Sequence, residues 1–181
     1  MITPKPEVML PLVAFEPATA FHGECLGIWE DEDFSGSDHP SEPYIVVGYD
    51  GQAWRIHEAW GPPVPPKGFF AKALTAIFDV PSFPSLVGRE VTQISLSLED
   101  FKGEICRRIP IYPNGVFDDE LLVGEGLRRG DDLDGLVSSL VARVCAEVQA
   151  TTSIADAMDV LLFARRDQHE WAGEFLRRPS A

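Results

Sequence analysis

The sequence predicts an α+β fold, in which an antiparallel sheet built from hairpins packs against a mid-chain helix and two C-terminal helices. Three observations lead to this prediction. Short apolar runs with turn signals fill about residues 1–112, one amphipathic segment interrupts them, and long helical patterns fill about residues 118–178. Strands that precede helices are typical of this fold class. The length of 181 residues corresponds to a single domain over residues 1–181.

The first predicted elements are two strands. Residues 8–15 form an apolar run that contains Pro11. Because proline removes a backbone donor, we expect this run to be an edge strand. A second strand is expected at residues 22–29, and an acidic loop follows at residues 30–42.

A hairpin is predicted over residues 44–57. The dipeptide Asp50-Gly51 lies between two apolar runs, which indicates a two-residue turn. That turn places Val47 opposite Trp54 and determines which side chains share a face. The core face is expected to carry Ile45, Val47, Trp54 and Ile56. The mixed, partly exposed face is expected to carry Tyr44, Val46, Arg55 and His57.

The middle of the chain is predicted to hold a connector, a helix and a second hairpin. Residues 61–66 are rich in proline and indicate a stiff connector. Apolar side chains recur at helical spacing over residues 67–79, which predicts the mid-chain helix. Apolar residues alternate with serine over residues 91–98, as in a half-buried strand. A turn at 100–103 then makes residues 91–112 a hairpin.

Two helices are predicted at the C-terminal end. From Asp132 onward, apolar residues recur at alternating intervals of three residues and one residue, which indicates an amphipathic helix. Residues 151–153 interrupt this pattern. Ser153 is followed three residues later by Asp156, a spacing typical of a helix N-terminus.

Charge is the most unusual feature of the composition. The chain has 15 basic and 29 acidic residues, for a net charge of −14 at pH 7. Phosphates are repelled by such a chain, so we expect no direct binding to nucleic acid or to an anionic membrane. Residues 24–42 contain seven acidic residues and no lysine or arginine. A second acidic group could extend this surface: Asp118, Asp119, Glu120, Glu125, Asp131, Asp132 and Asp134.

Acidic and aromatic side chains together predict a non-enzymatic protein that binds a basic protein partner. Charge steers the encounter, and buried aromatic rings supply contact area. The concrete form of this hypothesis is an inhibitor or immunity-type protein that neutralises a toxin or nuclease, including by mimicry of nucleic-acid charge. The predicted contact residues are Trp29, Glu30, Asp31, Glu32, Asp33, Phe34, Asp38 and Glu42.

The cysteines are Cys25, Cys106 and Cys145, which are far apart in sequence and include no Cys-x-x-Cys motif. This pattern indicates neither a disulfide framework nor a zinc site. We expect buried thiols in a reducing cytoplasm. An enzyme or small-ligand binder that uses Cys25 and His57 is the alternative hypothesis.

Part of the first hairpin resembles a segment of papain-like cysteine peptidases. The matching residues are Val47-Gly48-Tyr49, Trp54-Arg55-Ile56 and Trp60-Gly61. Glu42 and Glu58 stand where that family has its histidine and asparagine. Since a catalytic thiolate needs its base within reach, the resemblance does not predict an active peptidase.

The acidic loop resembles the calcium loop of EF-hand proteins. Asp31-Glu32-Asp33-Phe34-Ser35-Gly36 is followed by Glu42 at the twelfth position. The resemblance implies calcium ligands from Asp31, Asp33, Ser35 and Glu42. Pro43 blocks the helix that should follow, so a looser calcium loop is the third hypothesis.

Eight of the 15 basic residues occur as adjacent arginine pairs. We expect these pairs to form ion pairs with the acidic excess. The pairs are Arg107-Arg108, Arg128-Arg129, Arg165-Arg166 and Arg177-Arg178.

Overall fold

The structure of the chain is a computed structural model that describes residues 6–18, 23–30, 42–63, 84–117 and 133–176. These ranges contain five strands, three α-helices and a short 3-10 turn. The elements are β1 (Leu12–Glu16), β2 (Cys25–Trp29), β3 (Tyr44–Gly48), β4 (Ala53–Pro63), β5 (Pro84–Ile94), α1 (Leu98–Arg108), the 3-10 turn (Pro113–Gly115), α2 (Leu133–Ala150) and α3 (Ile154–Leu176). The antiparallel sheet, one mid-chain helix and two C-terminal helices confirm the predicted α+β class.

The strand order is β2-β1-β3-β4-β5, and every neighbouring pair is antiparallel. β2 lies within the predicted range. β1, however, lies inside the sheet between β2 and β3, so the prediction of an edge strand is wrong. The strand begins at Leu12, directly after Pro11. The proline therefore precedes the ladder and removes no hydrogen bond from it.

Gly48 and Gln52 are the last hydrogen-bonded pair of the β3–β4 hairpin, so the turn has the three residues 49–51 instead of the predicted two. The Gly51 N–H donates to the Gly48 carbonyl at 2.8 Å, and the Gly48 N–H donates to the Gln52 carbonyl at 2.9 Å. Gly51 has a φ of 78°, which glycine adopts without strain. This geometry is a tight turn that ends on a left-handed residue.

The longer turn shifts the hairpin register by one residue. Val46 lies opposite Trp54, and Val47 lies opposite Ala53. A one-residue shift moves side chains to the other face of the sheet. The predicted pairing of Val47 with Trp54 is therefore wrong, as is the predicted shared face of Ile45, Val47, Trp54 and Ile56.

The chain after this hairpin also differs from the prediction. β4 continues to Pro63 and pairs with β5, so residues 61–63 are strand and not connector. The predicted helix at 67–79 lies outside the described residues. The predicted hairpin at 91–112 is wrong, because β5 ends at Ile94 and α1 occupies most of the remaining range.

α1 forms because its local signals agree with its buried side. The Ser97 side chain accepts a hydrogen bond from the Asp100 N–H at 3.1 Å and caps the helix. Acidic residues in the first turn and arginines in the last turn interact favourably with the helix dipole and stabilise the helix. Phe101 and Ile105 lie one turn apart and are fully buried.

The two C-terminal helices confirm the predicted pattern. α2 and α3 are separated by residues 151–153. The Asp156 N–H donates to the Ser153 hydroxyl at 3.1 Å, as the spacing of these two residues indicates.

The two faces of the sheet carry different side chains. The helix face packs with the described helices in one core and contributes Val13, Phe15, Leu26, Ile28, Val47 and Ala53. The opposite face forms a second buried cluster of Leu12, Ala14, Tyr44, Val46, Trp54 and Ile56.

Candidate functional site

Three of the predicted contact residues lie in the described part of the chain. Trp29 is the last residue of β2, and Glu30 follows it. Glu42 is exposed, two residues before β3. The remaining contact and calcium candidates lie outside the described residues: Asp31, Glu32, Asp33, Phe34, Ser35 and Asp38. No described group of three histidine, cysteine or carboxylate side chains could hold a metal ion.

Trp29 packs on the opposite face of the sheet. Its half-buried side chain contacts the cluster that contains Leu12 and Trp54. A Cβ at Gly27 would lie only 2.9 Å from the indole Nε1 of Trp29. A glycine two residues earlier therefore leaves room for the ring against the sheet, and only part of the ring is available to a partner.

The outer edge of β2 is covered by side chains from α1 and α3 and by the 3-10 turn. Arg108 donates to the carbonyl of Cys25 at 3.2 Å, and Arg165 donates to the carbonyl of Ile28 at 3.1 Å. Gly115 approaches Leu26 so closely that a Cβ would lie 1.9 Å from its carbonyl oxygen. Covered edges resist pairing with other strands, so β2 is not a site for strand addition.

The other arginine of each described pair binds a carboxylate that flanks β2. Arg107 pairs with Glu24, which precedes the strand. Arg166 pairs with Glu30, which follows it, at 2.9 Å. Arg108 also pairs with Glu104 at 2.9 Å, so the expected ion pairing is confirmed for Arg107, Arg108 and Arg166. In each pair, one guanidinium binds the main chain of β2 and its neighbour binds an acidic residue.

Several carboxylates in the described ranges face solvent. Glu42 and Asp50 flank β3, Glu90 lies on β5, and Glu170 lies on α3. The basic side chains near β2 are instead bonded within the chain. Exposed carboxylates therefore lie on several elements, while the arginines beside β2 bind main-chain carbonyls or carboxylates of the same chain.

The structure does not bring Cys25 and His57 together. Cys25 lies on β2 and belongs to the opposite face, whereas His57 lies on β4 and projects to the other side of the sheet. The Cys25 thiol donates to a Glu16 carboxylate oxygen at 3.8 Å. Burial first, and then the charge of Glu16, raise the pKa of Cys25 to about 11. Cys25 is therefore a protonated thiol at neutral pH, without His57 as a base.

At one end, the opposite face of the sheet carries a row of polar side chains: Cys25, Glu16, Tyr44, Glu58 and Arg89. We name it the polar row. Cys25 lies opposite Glu16, and Glu58 lies opposite Arg89. The Arg89 Nε donates to Glu58 at 2.7 Å, and the Glu58 side chain is only 1% exposed. Burial and the charge of Glu58 raise the pKa of Tyr44, which keeps its phenol protonated.

Sequence reasoning missed this row because the hairpin register was wrong. With Trp54 and Ile56 on the opposite face, the alternation along β4 also places Glu58 there. Cys106 and Cys145 are far apart in sequence but contact each other between α1 and α2. Their contact becomes visible only when both segments are assigned as helices.

Comparisons with models of protein families, with curated proteins and with solved structures find no match to this chain. None of the helices in the described ranges combines the length and apolar character needed to cross a membrane.

Proposed function

We propose that the protein is a non-enzymatic binding protein that uses its acidic surface to neutralise a basic protein partner. The contact surface is the acidic segment at residues 30–42 together with Trp29. The partner is a protein whose basic patch handles nucleic acid, such as a nuclease or a toxin, and the carboxylates take the place of phosphates.

The internal engagement of the arginines around β2 is the observation that carries this proposal. Arg108 and Arg165 donate to main-chain carbonyls of β2. They therefore stabilise β2, the strand that leads into the acidic segment, through neutral carbonyl groups and not through its carboxylates. The carboxylates of that segment attract the guanidinium or ammonium groups of a basic partner.

Glu30 remains available to a partner although it pairs with Arg166. The side chains of Arg166 and Glu30 are 67% and 45% exposed. An exposed pair of this kind contributes about 1 kcal/mol or less. A guanidinium from a partner can therefore replace Arg166 at little cost.

The test compares two variants with the same change in charge. The first carries Asp31→Asn, Glu32→Gln, Asp33→Asn and Asp38→Asn in the acidic segment. The matched control carries Glu7→Gln, Glu90→Gln, Glu99→Gln and Glu147→Gln, none of which is next to an arginine that contacts β2. Each protein is titrated against purified basic nucleases, and cleavage of DNA or RNA is measured.

We expect the unmodified chain and the control variant to inhibit at least one nuclease, and the segment variant to lose most of that inhibition. Equal loss in both variants would show general charge attraction and would contradict a specific surface. Absence of binding to every basic protein would also contradict the proposal.

A further inference from the structure

Two of the three cysteines meet where α1 contacts α2. Cys106 lies in the last turn of α1, and Cys145 lies in the second half of α2. The Sγ of Cys106 is 3.8 Å from the carbonyl oxygen of Cys145, and the Sγ of Cys145 is 4.0 Å from the carbonyl oxygen of Cys106. Each thiol thus reaches the main chain of the other residue. Both cysteines are partly exposed, so a small reagent has access to them.

Contacts one helical turn away hold the two cysteines in place. Lys102 precedes Cys106 by one turn, is 4% exposed, and donates to the carbonyls of Gln149 and Thr151 at 3.1 and 2.6 Å. The Gln149 side-chain amide donates to the Sγ of Cys106 at 3.5 Å. The helices are therefore connected by hydrogen bonds beside the thiol pair.

The same contacts favour the thiolate form of Cys106. Hydrogen bonds from the Cys145 thiol and then from the Gln149 amide outweigh burial and lower the pKa of Cys106 to about 6. The hydrogen bond to Cys106, burial and the negative charge of Cys106 raise the pKa of Cys145. The opposite directions of the two shifts make Cys106 the thiol of the pair that loses its proton more readily.

We propose that Cys106 and Cys145 form a peroxide-reactive thiol pair, in which oxidation joins α1 to α2 through a disulfide. The proposal rests on the mutual contact of the two residues and on the amide that donates to Cys106. It is independent of the proposed binding function, because neither cysteine belongs to the acidic segment.

The reaction consists of two displacements. The Cys106 thiolate attacks one oxygen of a hydroperoxide; an S–O bond forms, the O–O bond breaks, and the leaving oxygen takes up a proton as water or an alcohol. Cys145 then attacks the sulfenic sulfur of Cys106, an S–S bond forms, and the S–O bond breaks with release of water. Two electrons pass from the two sulfur atoms to the peroxide. Solvent supplies the proton for the leaving oxygen of the first step, and the Cys145 proton leaves in the water of the second step.

Cys25 serves as an internal control because its surroundings are different. It is 8% exposed, and its thiol is bonded to Glu16 in the polar row. Its pKa of about 11 leaves very little thiolate at neutral pH. Peroxide should therefore leave Cys25 unchanged while it oxidises the other two cysteines.

The experiment treats the reduced full-length chain with hydrogen peroxide at neutral pH and follows it by intact mass and by peptide mapping without reductant. We expect the loss of two hydrogen atoms and one linked peptide pair that contains residues 106 and 145, reversed by dithiothreitol. Cys145→Ser should instead gain one oxygen atom at Cys106, trapped by a sulfenic-acid reagent. Cys25→Ser should behave as the unmodified chain does.

Other results would overturn the proposal. These are an unchanged mass after peroxide treatment, a disulfide that includes Cys25 or joins two chains, or a Cys145→Ser variant that peroxide does not modify. The alkylation rate of Cys106 in the reduced chain supplies a second measurement. This rate should rise with pH to a midpoint near 6, since the thiolate is the nucleophile. A midpoint near the pKa of an ordinary thiol would show that Cys106 is not an activated thiolate, which would contradict the first displacement.

Discussion

Gly103 and Gly115 show how strongly the effect of one added methyl group depends on its surroundings. Gly103 is exposed within α1, and a Cβ there would meet nothing within 4 Å. At Gly115 a Cβ would lie 1.9 Å from the Leu26 carbonyl oxygen, at the edge of β2. We expect Gly103→Ala to raise the free energy of unfolding by about 1 kcal/mol, because alanine is the better helix former.

Gly115→Ala should lower the free energy of unfolding by about 2 kcal/mol or more, since main chain must move to make room. Urea denaturation of both variants measures the difference. Similar effects of the two substitutions would contradict the close approach of the 3-10 turn to β2.

Single residues were predicted well where the signal is local. The Ser153 cap follows from a serine and an aspartate three residues apart. Ser97 and Asp100 have the same spacing and also cap a helix, but the alternation over residues 91–98 favoured a strand. The contact between Cys106 and Cys145 has no local signal, because it depends on the packing of two helices.

At the scale of elements, the β3–β4 hairpin shows why a correct element can have a wrong register. Val46 and Val47 are both 0% exposed, so both faces of β3 are buried. Alternation between apolar and polar residues then gives no indication of which face is which. The turn alone determines the register, and Asp50-Gly51 is compatible with both turn lengths.

The arginines at the end of α1 should contribute very differently to stability. Arg108 is 7% exposed, donates to the main chain of β1 and β2, and lies over the Phe15 ring at 5.5 Å. We expect Arg108→Met to lower the free energy of unfolding by about 3 kcal/mol, because buried carbonyls lose a charged donor.

Arg107→Met is the matched control, since Arg107 is the preceding residue and its side chain is 45% exposed in its ion pairs. Its loss should cost about 1 kcal/mol or less. Chemical denaturation of the two variants provides the comparison. An equal cost would indicate that the edge of β2 does not depend on Arg108.

For the whole molecule, the fold class could be predicted because it depends on the order of strands and helices along the chain. The candidate binding surface is harder to predict for a physical reason. Charge counts along a sequence do not show which cations are engaged internally. The structure places one arginine of each described pair against the main chain of β2, and the sequence contains no signal for this choice.

The net charge of −14 predicts opposite effects of salt on stability and on partner binding. Like charges repel one another in the folded chain, so screening should raise the melting temperature by a few degrees between about 10 mM and about 500 mM NaCl. Complex formation with a basic nuclease should weaken over the same range, because salt screens attraction between partners. Calorimetry and a binding titration in the same buffers measure both trends.

The variant neutralised at Asp31, Glu32, Asp33 and Asp38 should show a smaller change in each. A complex that keeps its affinity at high salt would be held by apolar contacts, and the acidic surface would then serve solubility alone.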